Sequence, residues 1–266
     1  MSLPLETLQR LEELVANGNE ANHIGTDTPA LLINGKIVDI EHLQEGRSRY
    51  RGRFSTSVMA EFAAYLRNKP GAELFVSPEV ARATAYLNLG TQDSPGHGDW
   101  AAVLTLKNTA AYQAAVNADG RNVTQRELAE WAEDWAACLT AVRDDESVNL
   151  GTAIAAIRNI NIVAKKDVGH QDSNFGAKRS ALEEIEAKGA GGLPTHFVIT
   201  TPPHIGFAER AIKLRLSVIT GDAPRLCLRI VAKEALQESI QIEFKERLLA
   251  AASEHVSHAV VGDFSI

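Results

Sequence analysis

The 266-residue chain is predicted to be α+β, with mainly antiparallel sheet built from hairpins and flanking amphipathic helices. Three observations predict this. Asn34-Gly35 lies between the runs Ala30-Leu31-Leu32-Ile33 and Lys36-Ile37-Val38-Asp39-Ile40 and supplies the two positive-φ positions of a tight hairpin turn. Apolar residues alternate with polar ones at Ala83, Ala85, Leu87 and Leu89, at Ile212, Leu214, Leu216 and Val218, and at Leu226, Leu228 and Ile230, the period of half-buried strands. Leu236, Ile240, Phe244, Leu248 and Ala252 form one stripe of a closing helix from about Glu234 to His255. Strands and helices do not alternate in a βαβ rhythm, and no repeat of fixed period is present.

In chain order, Leu5, Leu8, Leu11 and Leu14 predict an amphipathic helix over residues 3–17, with Pro4 at its start and Gly18 past its end. The hairpin follows, then an arginine-rich loop. Ser55 or Ser57 is expected to cap a helix through Val58, Met59, Phe62 and Leu66 that Pro70-Gly71 stops. Strands are expected at Glu73–Val76, at 82–89 and at Trp100–Lys107, the last two antiparallel across the loop Gly90–Asp99. Thr124-Gln125-Arg126-Glu127 is a capping box, because the hydroxyl and the carboxylate each satisfy an orphan amide of the other. The helix that it starts is read as carrying Leu128, Trp131, Trp135, Cys138, Leu139 and Val142, with the tryptophans as core anchors. A short helix over Leu150–Arg158, a strand over Asn159–Lys166, a polar turn at Gly169–Asn174 and a strand at Thr195–Ile199 come next. The run Gly189-Ala190-Gly191-Gly192 is the best boundary. Residues 1–188 then form an N-terminal α+β region and 193–266 a C-terminal hairpin plus helix, an arrangement equally compatible with one domain.

The charged and hydrophobic shares, 23% and 45%, are those of a soluble globular protein. No apolar stretch is long enough to cross a bilayer, and Met1–Glu6 has no signal-peptide character, so a cytoplasmic protein without membrane contact is expected. Cys138 and Cys227 cannot build a disulfide framework and read as buried thiols. A net charge of −7 argues against binding nucleic acid over the whole surface, but not against a focused contact.

Such a focus exists. Four of the seventeen arginines fall in Arg47-Ser48-Arg49-Tyr50-Arg51-Gly52-Arg53, followed by Phe54. Guanidinium groups bind phosphate through paired hydrogen bonds, and Tyr50 and Phe54 offer faces on which bases stack. Arginine and tyrosine also favour protein interfaces, so Arg47, Arg49, Tyr50, Arg51, Arg53 and Phe54 are candidates for either subunit or nucleic-acid contact, against the alternative of a plain surface loop. His97-Gly98-Asp99 and His170-Gln171-Asp172 each pair an imidazole with a carboxylate, the ingredients of a metal site. A metal needs further ligands to converge, so His97, Asp99, His170 and Asp172 are weak candidates and no cofactor is expected. Glu130, Glu133 and Asp134, and then Asp144-Asp145-Glu146, read as solvated carboxylates. Phosphate-loop, dinucleotide, serine-hydrolase and zinc-protease signatures are absent.

The segment Pro95-Gly96-His97-Gly98-Asp99, the strand with Ala101 and Leu104, Thr124–Asp134, and Leu193-Pro194-Thr195-His196-Phe197 with the hairpin at 210–232 together resemble the YfdQ-like family, a domain of unknown function encoded by bacteriophages and prophages. The likeness covers residues 50–262. It implies a phage or prophage origin and the cytoplasm of a bacterial host, and it brings no catalytic residues. The expectation is a non-enzymatic accessory protein that assembles with copies of itself. The alternatives are a nucleic-acid-binding protein of phage DNA metabolism using residues 47–54 and a metal-dependent hydrolase.

Overall fold

Two apolar sheet faces have to be covered, and one helix helps to cover both. The computed structural model describes residues 30–33, 36–160, 193–219 and 225–265, with Glu6, Gln9, Arg10, Glu12, Glu13 and Leu14. Most of the helix expected over 3–17, the strand expected beyond Ile160, the turn at 169–174 and the glycine run at 189–192 lie outside these residues.

The predicted hairpin forms: β1 (Ala30–Ile33) and β2 (Lys36–Asp39) pair antiparallel as a separate two-stranded sheet. Next come β3 (Gly52–Thr56), α1 (Met59–Leu66), β4 (Glu73–Ser77), β5 (Arg82–Tyr86) and β6 (Trp100–Thr105). The run after them is α2 (Ala110–Ala118), β7 (Asn122–Val123), α3 (Gln125–Asp134), β8 (Leu139–Arg143), β9 (Glu146–Val148) and α4 (Leu150–Arg158). Last are β10 (His196–Thr201), β11 (Arg210–Ile219), β12 (Arg225–Ile230), α5 (Lys233–Ala252) and β13 (His258–Val261). The larger sheets have the orders β7-β12-β11-β10-β8-β9 and β13-β4-β5-β6-β3. The first is antiparallel throughout, while the second adds parallel pairs at both edges, β13 on β4 and β3 on β6. The α+β expectation holds. The six-stranded sheet takes strands from both sides of the glycine run, which places them around one core.

That core joins Phe197, Ile199, Ile212, Leu214 and Leu228 of the sheet to Tyr112 of α2, Leu128 of α3 and Ile157 of α4. The second core joins Leu74, Val76, Ala85 and Leu104 to Phe62 and Leu66 of α1. Helix α5 belongs to both. Leu236 and Ile240 pack on the first core, Phe244, Leu248 and Ala252 on the second. Its 20 residues span about 30 Å, long enough to lie across the two sheets. Glu243 fastens it to the segment before β11: its carboxylate accepts from the Ala208 amide at 2.9 Å and pairs with Arg210 and Arg247 at 2.7 Å each. Buried His204 lies in the same segment, its Nδ1 3.1 Å from the Lys107 carbonyl and its ring edge-on to Phe207.

Several local expectations are corrected. The capping box forms, but α3 ends at Asp134 with Trp135 as its C-cap. Leu139 and Val142 belong to β8, where Leu139 faces Ile199 and Val142 faces His196, so strand pairing overrides the helical spacing that continues through them. Trp131, Trp135 and Cys138 are only partly buried against the core. Neither Ser55 nor Ser57 caps α1: Ser55 lies in β3, and Val58 is an N-cap without a side-chain hydrogen bond. Arg53 and Phe54 are strand residues, not loop. Asp144 and Asp145 are exposed, in keeping with solvated carboxylates, and with φ of 49° and 64° they form the turn between β8 and β9. Helix α2, started by Thr109 accepting from the Tyr112 amide, and strand β13 were not expected from the sequence.

Phe244→Ala removes the largest α5 side chain in the second core and is expected to cost about 3–5 kcal/mol. Urea unfolding should show it. Far-UV circular dichroism and tryptophan emission should shift together, because Trp100 reports one sheet and Trp131 and Trp135 the other. Acid should destabilise the fold in two ranges. Burial holds His196 and His204 below the ordinary imidazole value of 6.5, so the unfolded chain binds more protons and stability falls as pH drops from about 6.5. For Asp119 and Glu243, burial pushes the carboxyls up. Lys233 and the Ile230 amide outweigh it at Asp119, and the Ala208 amide, Arg210 and Arg247 outweigh it at Glu243, so both end below their ordinary values of 3.8 and 4.5. Their stabilisation is present above those values and is lost as pH falls through the lower folded ones, which thermal melts at stepped pH should reveal as a second decline.

Candidate functional site

The arginine run is drawn inward by carboxylates that are distant in sequence. At the end of β2, Asp39 accepts from the Glu41 amide at 2.8 Å and so starts a short 3-10 turn over Glu41–Leu43. Glu41 is buried. It accepts from the Ser48 amide at 3.0 Å and the Ser48 hydroxyl at 2.7 Å, and it pairs with the Arg51 guanidinium, which also lies 3.9 Å from Asp39. Arg49 pairs with Asp99 at 2.7 Å, and Arg47 donates to the Arg51 carbonyl at 3.2 Å. The Ser48 hydrogen bonds, joined by the Arg51 and Arg47 charges, hold the Glu41 carboxyl below its ordinary range. The Arg49 hydrogen bond, helped by Asn88, does the same at Asp99.

The aromatics of the run are engaged as well. Tyr50 meets Trp100 at 4.5 Å between ring centroids, the Trp100 indole donates to the Tyr65 hydroxyl at 3.1 Å, and Tyr65 stacks on Phe54 at 4.3 Å. This chain of rings ties the run to β6 and α1. Tyr50 nevertheless keeps 67% of its surface exposed.

Asp99 is positioned by the loop that joins β5 to β6. Asn88 donates to Asp99 at 2.8 Å and accepts from the Trp100 amide, while the Asp99 carbonyl accepts from the Gly52 amide. The loop closes tightly enough that a Cβ on Gly96 would come within 2.0 Å of the Asn88 carbonyl oxygen, which only glycine allows. His97 is exposed beside Asp99. The carboxylate that a metal would need is thus already held by Arg49 and Asn88. His170 and Asp172 lie outside the described residues. Among the described residues, no three His, Cys, Asp or Glu side chains converge to hold a metal. Burial pushes the Cys138 and Cys227 thiols up, which suits inert side chains rather than nucleophiles.

Arg53 stands apart from the other three arginines. Strand alternation turns it to the face of the five-stranded sheet opposite α1 and α5, in one row with Ala101 and Tyr86, while Arg82, Thr84 and Phe75 share that face. The residues after β13 fold over part of it: Phe264 stacks on Phe75 at 4.8 Å and meets Tyr86 edge-on, and the Tyr86 hydroxyl donates to the Phe264 carbonyl at 3.2 Å. Beside this tail is a cavity of about 540 Å³ lined by Arg53, Arg82, Tyr86 and Phe264. Arg82 and Phe264 were not singled out from the sequence. The alternation of β5 gave the side on which Arg82 lies, whereas nothing local placed Phe264 there.

No helix among the described residues is long and apolar enough to cross a membrane. The family model for an uncharacterized conserved protein, DUF2303, matches residues 6–263. No curated protein and no solved structure matches the chain.

Glu41 and Asp99 give the loop a measurable rigidity. Glu41→Gln and Asp99→Asn should each accelerate tryptic cleavage after Arg47, Arg49 or Arg51 several-fold under native conditions, with bonds elsewhere unchanged, as mass spectrometry of timed digests would show.

Proposed function

We propose that this chain, which belongs to the uncharacterized conserved protein family DUF2303, is a non-enzymatic protein that associates with copies of itself. One observation carries the reading. Strand β13 is an edge of the five-stranded sheet, and all four of its residues are exposed, Val260 at 50% and Val261 at 55%. Natural edges are usually blunted by lysine, proline or a bulge, but this one reads His-Ala-Val-Val. A second copy can add its own β13 across a twofold axis, joining two five-stranded sheets into one.

The inward pull on Arg49 and Arg51 favours this reading over a nucleic-acid grip by residues 47–51, because their charges already have acid partners. Residue similarity to the YfdQ-like pattern supports a phage or prophage accessory role in the cytoplasm of a bacterial host.

Size-exclusion chromatography with light scattering tests the proposal. The wild type should run as a dimer or larger species at about 100 µM. The Val260→Lys/Val261→Lys variant should shift to monomer and keep the far-UV circular dichroism of the wild type, since about half of each side chain is exposed within one chain. A wild-type chain that stays monomeric at that concentration would remove the reading.

A further inference from the structure

The cavity on the outer face of the five-stranded sheet has the makings of a ligand site, independent of edge pairing at β13. Arg53 and Arg82 are both exposed at its rim, and neither forms an ion pair among the described residues. Both guanidiniums lie on one sheet face of a chain of net charge −7 and give this cavity a cationic rim. The carboxylates nearby are Asp263, which lines the cavity and accepts from the Ser77 hydroxyl, and Glu73, in the same row as Tyr86. Phe264 packs one ring face on Phe75 and meets Tyr86 edge-on, yet remains 42% exposed, enough ring surface to receive a flat partner. The cavity's volume of about 540 Å³ falls within the usual range for small-ligand sites.

We infer that this cavity binds one nucleotide unit, free or within a single strand, with its phosphate on Arg53 and Arg82 and its base laid on Phe264. The guanidinium fork matches a phosphate geometrically, and stacking on an aromatic face accepts any base. Duplex nucleic acid is disfavoured, because its bases are stacked on one another and cannot lie on Phe264.

Fluorescence anisotropy with a labelled oligo-dT strand, beside titration calorimetry with AMP, tests the inference. Binding of AMP alone assigns a free nucleotide, and tighter binding of the strand assigns single-stranded nucleic acid. Arg53→Gln/Arg82→Gln should weaken whichever binds at least ten-fold and Phe264→Ala at least five-fold, while Arg47→Gln should leave it unchanged. Strand affinity should fall roughly seven-fold between 50 and 200 mM salt, as two contacts require. A fall near fifty-fold, roughly the value for four contacts, would transfer binding to the whole run 47–53 and overturn the inference. So would wild-type affinity in Arg53→Gln/Arg82→Gln, or no binding of either probe at 50 mM salt.

Discussion

Helix α5 is the constraint on which the rest depends. A sheet with one apolar face is unstable until that face is covered, and each sheet here has its own helices: α2, α3 and α4 on the six-stranded sheet, α1 on the five-stranded one. Neither set links the two cores. The stripe from Leu236 to Ala252 does, because residues four apart stay on one side of a helix for its whole length. Glu243 sits midway along α5 and holds the segment before β11 with one carboxylate, so helix position and loop position are set together.

The arginine run shows how a local charge pattern acquires a different meaning in three dimensions. Read linearly, four arginines in seven residues are a field directed at solvent. Folded, two of them close ion pairs that staple the N-terminal hairpin and the β5–β6 loop to the sheet edge. Partly buried pairs of this kind fix geometry more reliably than they add stability, since desolvation offsets much of their attraction. Arg53 alone of the four is turned by β3 onto the sheet face that carries Arg82.

Features written locally were legible in the sequence. The pairing of β1 with β2, the Thr124–Glu127 box, the alternation of β5, β11 and β12, and the α5 stripe each draw their signal from neighbouring residues. What escaped depends on distant partners. Leu139 reads as helical until Ile199 arrives to pair with it, and four residues of β13 carry too little pattern to stand out. At the candidate site the run over residues 47–54 was visible, but the separation of 50 positions between Arg49 and Asp99 hid the fact that it is largely an internal fastening. That Arg53 and Arg82 share one sheet face follows from strand pairing, which a single sequence does not disclose.

The parallel pairing of β13 on β4 also sets a schedule. Ser77, at the end of β4, and Asp263, just past β13, touch although they are 186 residues apart. A ribosome adding 5–20 residues per second makes the second roughly ten to forty seconds after the first. For that interval β4 has no outer neighbour, and the edge that β13 will occupy stands open beside Leu74 and Val76. Chains made side by side on one message therefore meet at different stages, and the β13 of a neighbour further along is as good a fit to an open β4 as the chain's own.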